Sequence, residues 1–103
     1  MKDRMVMVTE AELLKQIETR TGIEKLKALL HYSNFMRQSD WQKSLESARQ
    51  AEALAVSMKE ADYEIEALVC EAYAYYYHSD FKESRRLSDR IYILLEARFR
   101  HIT

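Results

Sequence analysis

A chain with no proline and a single glycine, Gly22, has almost nothing from which to build tight reversals. Hairpin turns need left-handed backbone at a central position, which glycine supplies without steric cost, and proline presets the commoner turns. Phosphate-cradling loops need glycine clusters. An all-β fold and the Gly-rich nucleotide-binding motifs are therefore excluded, and helices joined by short polar connectors remain. A content of 48% hydrophobic and 11% aromatic residues is enough to offset chain entropy, so the chain folds. Its 103 residues amount to one domain with one modest core.

Sixteen basic and seventeen acidic residues give a formal charge of −1, which leaves no global field to attract nucleic acid or an anionic membrane. The single Cys70 cannot form an internal disulfide. The stretch from Met1 to Val8, interrupted by Lys2, Asp3 and Arg4, is too short for a secretory signal. Both features fit a reducing cytoplasm. No apolar run approaches the roughly 18–20 residues that span a bilayer, so no membrane helix is expected.

Four capping signals divide the sequence: Thr9 before Glu12, Thr21 before Glu24, Ser39 before Gln42 and Asp80 before Glu83, with a weaker start near Asp62. Each sets a side-chain oxygen where free N–H groups of a first helical turn need an acceptor. Between them the apolar residues recur at three and four, which predicts five helices. The first runs from about residue 10 to 20 with Leu13, Leu14 and Ile17 inward, and the second from about 23 to 38 with Leu26, Leu29, Leu30 and Met36. The third carries Trp41, Leu45, Ala48, Ala51, Ala55 and Met58; the fourth, from about 63 to 78, carries Ile65, Leu68, Val69, Ala72, Tyr75 and Tyr76. The fifth, from Phe81, shows Leu87, Ile91, Leu94, Leu95, Phe99 and Ile102. Short connections make neighbouring helices antiparallel.

Self-comparison adds a repeat. Ser39-Asp40-Trp41 returns as Ser79-Asp80-Phe81, and the same offset relates Ser44 to Ser84, Leu54 to Leu94, Phe35 to Tyr75 and Ala51 to Ile91. A repeated helical hairpin cannot bury its apolar stripe alone and stacks on its neighbour. With an aromatic near the end of a first helix, a polar turn, an Asp-aromatic pair and small residues along a second helix, the chain resembles the tetratricopeptide repeat family over roughly residues 25–100. Phe35, Asp40-Trp41, Ser44, Ala48 and Ala51 carry the likeness once; Ala72, Tyr75, Asp80-Phe81, Ser84 and Ser88 carry it again. The departures are a period of 40 against the family's about 34, Tyr32 and Ile91 in place of small residues, and no closing proline. The resemblance implies an all-α, right-handed solenoid of stacked antiparallel hairpins. Residues 1–21 form a cap, 22–60 one repeat and 61–103 a second. The longer period is similar to that of repeats in bacterial regulators, which implies an amino-terminal scaffold or sensory segment of a signalling protein.

In that family the first helix of each unit lines a concave ligand-binding surface. Carried over, this selects Leu29, Ser33, Met36 and Arg37 from the first unit and Val69, Tyr73, Tyr76 and Tyr77 from the second. Rigid aromatics with polar tips, a flexible Met and an Arg are residues that interfaces enrich. A helical run of tyrosines cannot place all of them in one groove, and the competing placement puts Tyr75 and Tyr76 in the inter-helix core. A groove that clamps a terminal carboxylate needs Lys and Asn where this chain has Leu29, Ser33 and Cys70, so that activity is not expected.

Arg85, Arg86, Arg90, Arg98 and Arg100 give the last helix a basic cast, but Glu83, Asp89 and Glu96 interleave with them. Asp62, Glu64, Glu66 and Glu71 lie on the preceding helix, so inter-helix ion pairing is favoured over RNA contact. His31, His78 and His101 share no metal spacing, and Cys70 reads as a small core residue. No catalytic residue, metal or cofactor is expected. The last helix spreads Ile91, Leu94, Leu95, Phe99 and Ile102 around more than one side, and something should cover them. The expectation is a non-catalytic protein- or peptide-binding module, or alternatively an element that pairs two copies through this last helix.

Overall fold

The computed structural model describes residues 8–102, with side chains through Arg100, and the described chain is helical with no strand. The five helices are α1 (Glu10–Thr19), α2 (Gly22–Met36), α3 (Trp41–Met58), α4 (Ala61–Tyr77) and α5 (Phe81–Ile102). Each packs on the next, and α2 also touches α4. Cross-links fix the directions. Ser33 bonds to Ser44 and Leu29 to Ser47, while Ala72 bonds to Ser84 and Asp62 to Arg98, so α2 and α3 run antiparallel, as do α4 and α5. The radius of gyration is 14.9 Å, against about 13 Å for a rounded domain of this length. The helices lie side by side and are not wrapped into a closed bundle.

Local chemistry sets the boundaries. Thr9 accepts from the Glu12 amide, and Glu12 Oε1 in turn accepts from the Thr9 amide at 3.0 Å, a complete capping box. At α3 the cap is Asp40, which accepts from the Lys43 amide at 3.1 Å. This corrects the assignment to Ser39, which lies in the turn. Asp80 does the same for α5 through the Glu83 amide. Thr21 makes no side-chain cap bond, and α4 begins after Glu60, ahead of Asp62.

The turns explain the repeat more exactly than the sequence offset does. The amide of Asp40 reaches the carbonyl of Met36, and that of Asp80 reaches the carbonyl of Tyr75, both at 2.8 Å. Three residues separate the first pair and four the second. The extra residue is absorbed by Ser79 in the left-handed region at φ 66°. Ser44 Oγ donates to the Ser33 carbonyl at 2.7 Å and Ser84 Oγ to the Ala72 carbonyl at 3.0 Å. The second helices thus correspond at the offset that relates Ser44 to Ser84, whereas the first helices correspond at the shorter offset that relates Ser33 to Ala72. The first helices are therefore one residue out of step with the repeat seen in the sequence.

The main core joins α2, α3 and α4 through Leu26, Leu29, Leu30, Ala48, Ala51, Ala55, Ala67 and Cys70. Leu13, Tyr32 and Met36 hold α1 on α2, and Leu68, Ala72 and Leu87 join α4 to α5. Glu10 ties the first helix down further, accepting from the Tyr32 hydroxyl at 2.7 Å and pairing with Lys43 at 3.1 Å. Those two donors hold the Glu10 carboxyl below its usual range. Burial, and then the same carboxylate, push Tyr32 up to about 12.

Two non-glycine residues, Lys59 and Ser79, follow helix ends in the left-handed conformation, and Gly22 starts a helix at φ 59°. At both helix ends the amide of the next residue reaches back five positions, Glu60 to Ala55 and Asp80 to Tyr75. Replacing Lys59 or Ser79 with Gly removes the Cβ strain and should stabilise the fold by about 0.5–1 kcal/mol each. Gly22→Ala should destabilise it by a similar amount, through backbone strain, since a Cβ there meets nothing within 4 Å. Thermal unfolding checks all three, with shifts of a few degrees in these opposite directions.

Candidate functional site

The face of α4 turned away from α3 carries Val69, Tyr73 and Tyr76, and the facing side of α5 carries Ser84, Ser88 and Ile91. With Ala72 between them they line an open, largely apolar groove of about 370 Å³. Tyr73 and Tyr76 remain 45% and 56% exposed, the Tyr76 ring standing edge-on to Tyr77 and Phe81 at 6.1 and 5.4 Å. Beyond the groove the stripe continues along α5 through Tyr92, Leu95 and Phe99, which are 66%, 40% and 66% exposed.

The first unit shows what such a groove can hold. With Ser33 matched to Ala72 on the first helices and Ser44 to Ser84 on the second, the lining residues Val69, Tyr73, Tyr76, Ser88 and Ile91 correspond to Leu30, Asn34, Arg37, Ala48 and Ala51. Every one of those five meets α4. Leu30, Ala48 and Ala51 share a core cluster with Ala67 and Cys70. Asn34 accepts from Cys70 Sγ at 3.5 Å, and the Arg37 guanidinium lies 4.2 Å above the Tyr73 ring. The α2–α3 groove is filled by a helix of the same chain; the α4–α5 groove is not.

The expected binding residues divide accordingly. Leu29, Ser33 and Met36 are only 2%, 1% and 5% exposed and are corrected as groove residues. Leu29 is in the main core, Ser33 exchanges hydrogen bonds with Ser44, and Met36 packs with Leu13 and Tyr32. The cause is the one-residue slip, which turns the matching faces of α2 and α4 about 100° apart. Arg37 is half-buried between α2 and α4, with its Nη2 on Asn34 and no hydrogen bond at Nε. Val69, Tyr73 and Tyr76 line the groove, and Tyr77 stands beside it. Tyr75 is half-buried in the α4–α5 core and touches Arg49, whereas Tyr76 points outward. Of the apolar residues of α5, Ile91 and Leu94 pack on α4, while Leu95 and Phe99 are exposed; the Ile102 side chain lies outside the described residues. Ser84 and Ser88 were not among the expected site residues, although Ala48, the counterpart of Ser88 in the first unit, packs against α4.

The chain matches no family model, no curated protein and no solved structure.

Elsewhere charged side chains pair between helices. Arg98 pairs with Asp62 at 2.9 Å, and Arg90 stands between Glu52 and Glu64 at 4.0 and 3.9 Å, in line with the expected inter-helix pairing. Cys70 is buried, and burial pushes its thiol up. No helix among the described residues is long and apolar enough to cross a membrane, and no group of three or more His, Cys, Asp or Glu there is placed to hold a metal ion.

Glu71 is the exception. It is 5% exposed, its Oε2 has no hydrogen-bond partner, and it sits on α4 near Glu52, Arg49 and Arg90. Burial, and then the neighbouring Glu52 carboxyl, push it up to about 8, with Arg49 and Arg90 opposing. Between the ordinary carboxylate value of 4.5 and about 8, the folded chain keeps a proton that the unfolded chain releases. The stability from this group is therefore complete below the unfolded value and is lost as pH rises through about 8. Glu71→Gln should raise the melting temperature at pH 8–9 and flatten its fall between pH 5.5 and 9, as read by circular dichroism; an unchanged profile counts against a protonated Glu71.

Proposed function

We propose that this chain is a non-catalytic protein-interaction module that holds a partner helix in the groove between α4 and α5. The observation that carries this reading is the correspondence of the two units. The same set of positions that seats α4 on α2 and α3 recurs, one unit later, as an open apolar groove. A helix docked there would bury Val69, Tyr73, Tyr76 and Ile91, and tyrosines at the rim would supply contact area at small entropic cost. Consecutive antiparallel hairpins with α2 against α4 support a short tetratricopeptide-like solenoid, in which one more helix extends the stack. On that reading the module serves as the scaffold or sensory part of a bacterial signalling protein, as the family resemblance implies.

The probe is a fluorescein-labelled peptide of residues 61–77, the helix that fills the equivalent groove in the first unit. Titrated with the chain and followed by anisotropy, it should bind saturably. Tyr76→Glu or Ser88→Glu should weaken it at least tenfold, and Val56→Glu, on an exposed part of α3, should leave it unchanged. Absence of saturable binding, or equal affinity in all three variants, would overturn helix docking at this groove.

A further inference from the structure

The two ends of the helical stack differ. At the amino-terminal end, α1 turns its apolar residues to α2, and the side chains it leaves exposed include Glu12, Lys15, Glu18 and Thr19 alongside Leu14. At the other end the exposed residues include a contiguous apolar set, Tyr73, Tyr76, Tyr92, Leu95 and Phe99, flanked on α5 by exposed charges such as Arg85 and Glu96. Head-to-tail stacking would press charged α1 residues onto that apolar surface and leave them without water. Pairing of two apolar ends carries no such cost, and related surfaces meeting across a two-fold axis close the assembly at two copies.

The stripe on α5, exposed except at half-buried Ser84 and Ile91, is also complementary to itself. Ser84, Ser88, Tyr92, Leu95 and Phe99 are spaced by four, four, three and four positions, so they share one face, bordered by Ile91. Its centre falls between Ile91 and Tyr92. Turning a second α5 antiparallel about that point sets Ser84 against the partner's Phe99, Ser88 against the partner's Leu95, and Ile91 against the partner's Tyr92. Small serines meet large residues at both ends of the contact, and Ile91 meets Tyr92 at its centre, so that the helix faces interdigitate. Arg85 and Glu96 lie on the same flank of this face and form no ion pair among the described residues. In the same register, each Arg85 comes within a turn of the partner's Glu96, twice over.

From this juxtaposition we infer that the occupant of the α4–α5 groove is the α5 helix of a second copy of this chain, packed antiparallel about a two-fold axis near Ile91 and Tyr92. The inference rests on the helix-docking reading above and names its partner. Val69, Tyr73 and Tyr76 of each α4 then wall in the incoming helix.

Light scattering coupled to size-exclusion chromatography, on the full chain over a range of concentrations, gives the test. The expected mass is twice 12.3 kDa, falling toward a single chain on dilution. Leu95→Glu should give a monomer with unchanged helicity. Arg85→Glu and Glu96→Arg should each weaken the dimer at least tenfold, because each places like charges opposite twice, and the double variant should return to within a few fold of the parent. Both charged residues are exposed, so these variants keep the fold. A 12.3 kDa monomer at every concentration overturns the second-copy inference, while the residue 61–77 peptide still decides helix docking. A dimer indifferent to Leu95→Glu, or one that the double charge reversal fails to restore, overturns it as well, since the contact then lies elsewhere.

Discussion

The arrangement depends on a seam of small side chains between α3 and α4. Ala48, Ala51 and Ala55 face Ala67 and Cys70, and all five are nearly or wholly excluded from solvent. Small residues bring the two helix axes close, and only at close range can the flank of α4 also reach Leu30, Asn34 and Arg37 on α2. A larger residue at Ala51 would push α4 outward and separate it from α2, since a close-packed interior accommodates an added methylene only by strain. The stacking of one hairpin on the next, rather than their folding into separate pairs, follows from this seam. So does the groove, whose walls are held in place by the same packing on the other side of α4.

The polar interactions add position more than energy. Ser33 and Ser44 exchange hydrogen bonds inside the core, Ser47 donates to the Leu29 carbonyl at 2.6 Å, and Ser84 donates to Ala72. Each hydroxyl satisfies itself on the backbone of the facing helix, so burying it leaves no orphan donor and fixes the helix pair in one axial register. Glu71 is the opposite case. A carboxyl buried beside Glu52, with one oxygen unpartnered, costs the folded state at high pH, and two nearby arginines offset only part of that.

Much of this was legible in the sequence. The lack of glycine and proline, the capping residues and the three-four periodicity are local signals, and they located all five helices with only small errors at their ends. The repeat was legible too, but its register was not. Ser39-Asp40-Trp41 and Ser79-Asp80-Phe81 match letter for letter but for the aromatic, and nothing in those letters records that Ser79 would adopt a left-handed conformation and take up an extra residue. A slip of one residue rotates a helix face by about 100°, which is why the groove carried over from the family took in Leu29 and Met36, already on the expected apolar face, together with Ser33, and all three proved to be core. The tyrosines divided for a related reason. Tyr75 and Tyr76 are equally apolar to a periodicity argument, and only the packing of α5 decides that the first turns inward.

Corrected for that slip, the repeat becomes a statement about energetics. The α2–α3 face and the α4–α5 face are built from corresponding positions, yet Ala48, Ala51 and Ala55 in the first become Ser88, Ile91 and Leu95 in the second. The first set is suited to a helix whose own facing residues are small, as those of α4 are. The second set is bulkier, so a helix such as α4 would seat there farther out than it does on the first, and the closest fit requires small residues opposite Leu95 and large ones opposite Ser88. Among the helices of this chain, α5 run antiparallel meets that requirement. On the proposed two-fold pairing, the substitution of larger for smaller residues between equivalent positions is what would distinguish a face that continues a stack from one that ends it by meeting its own image.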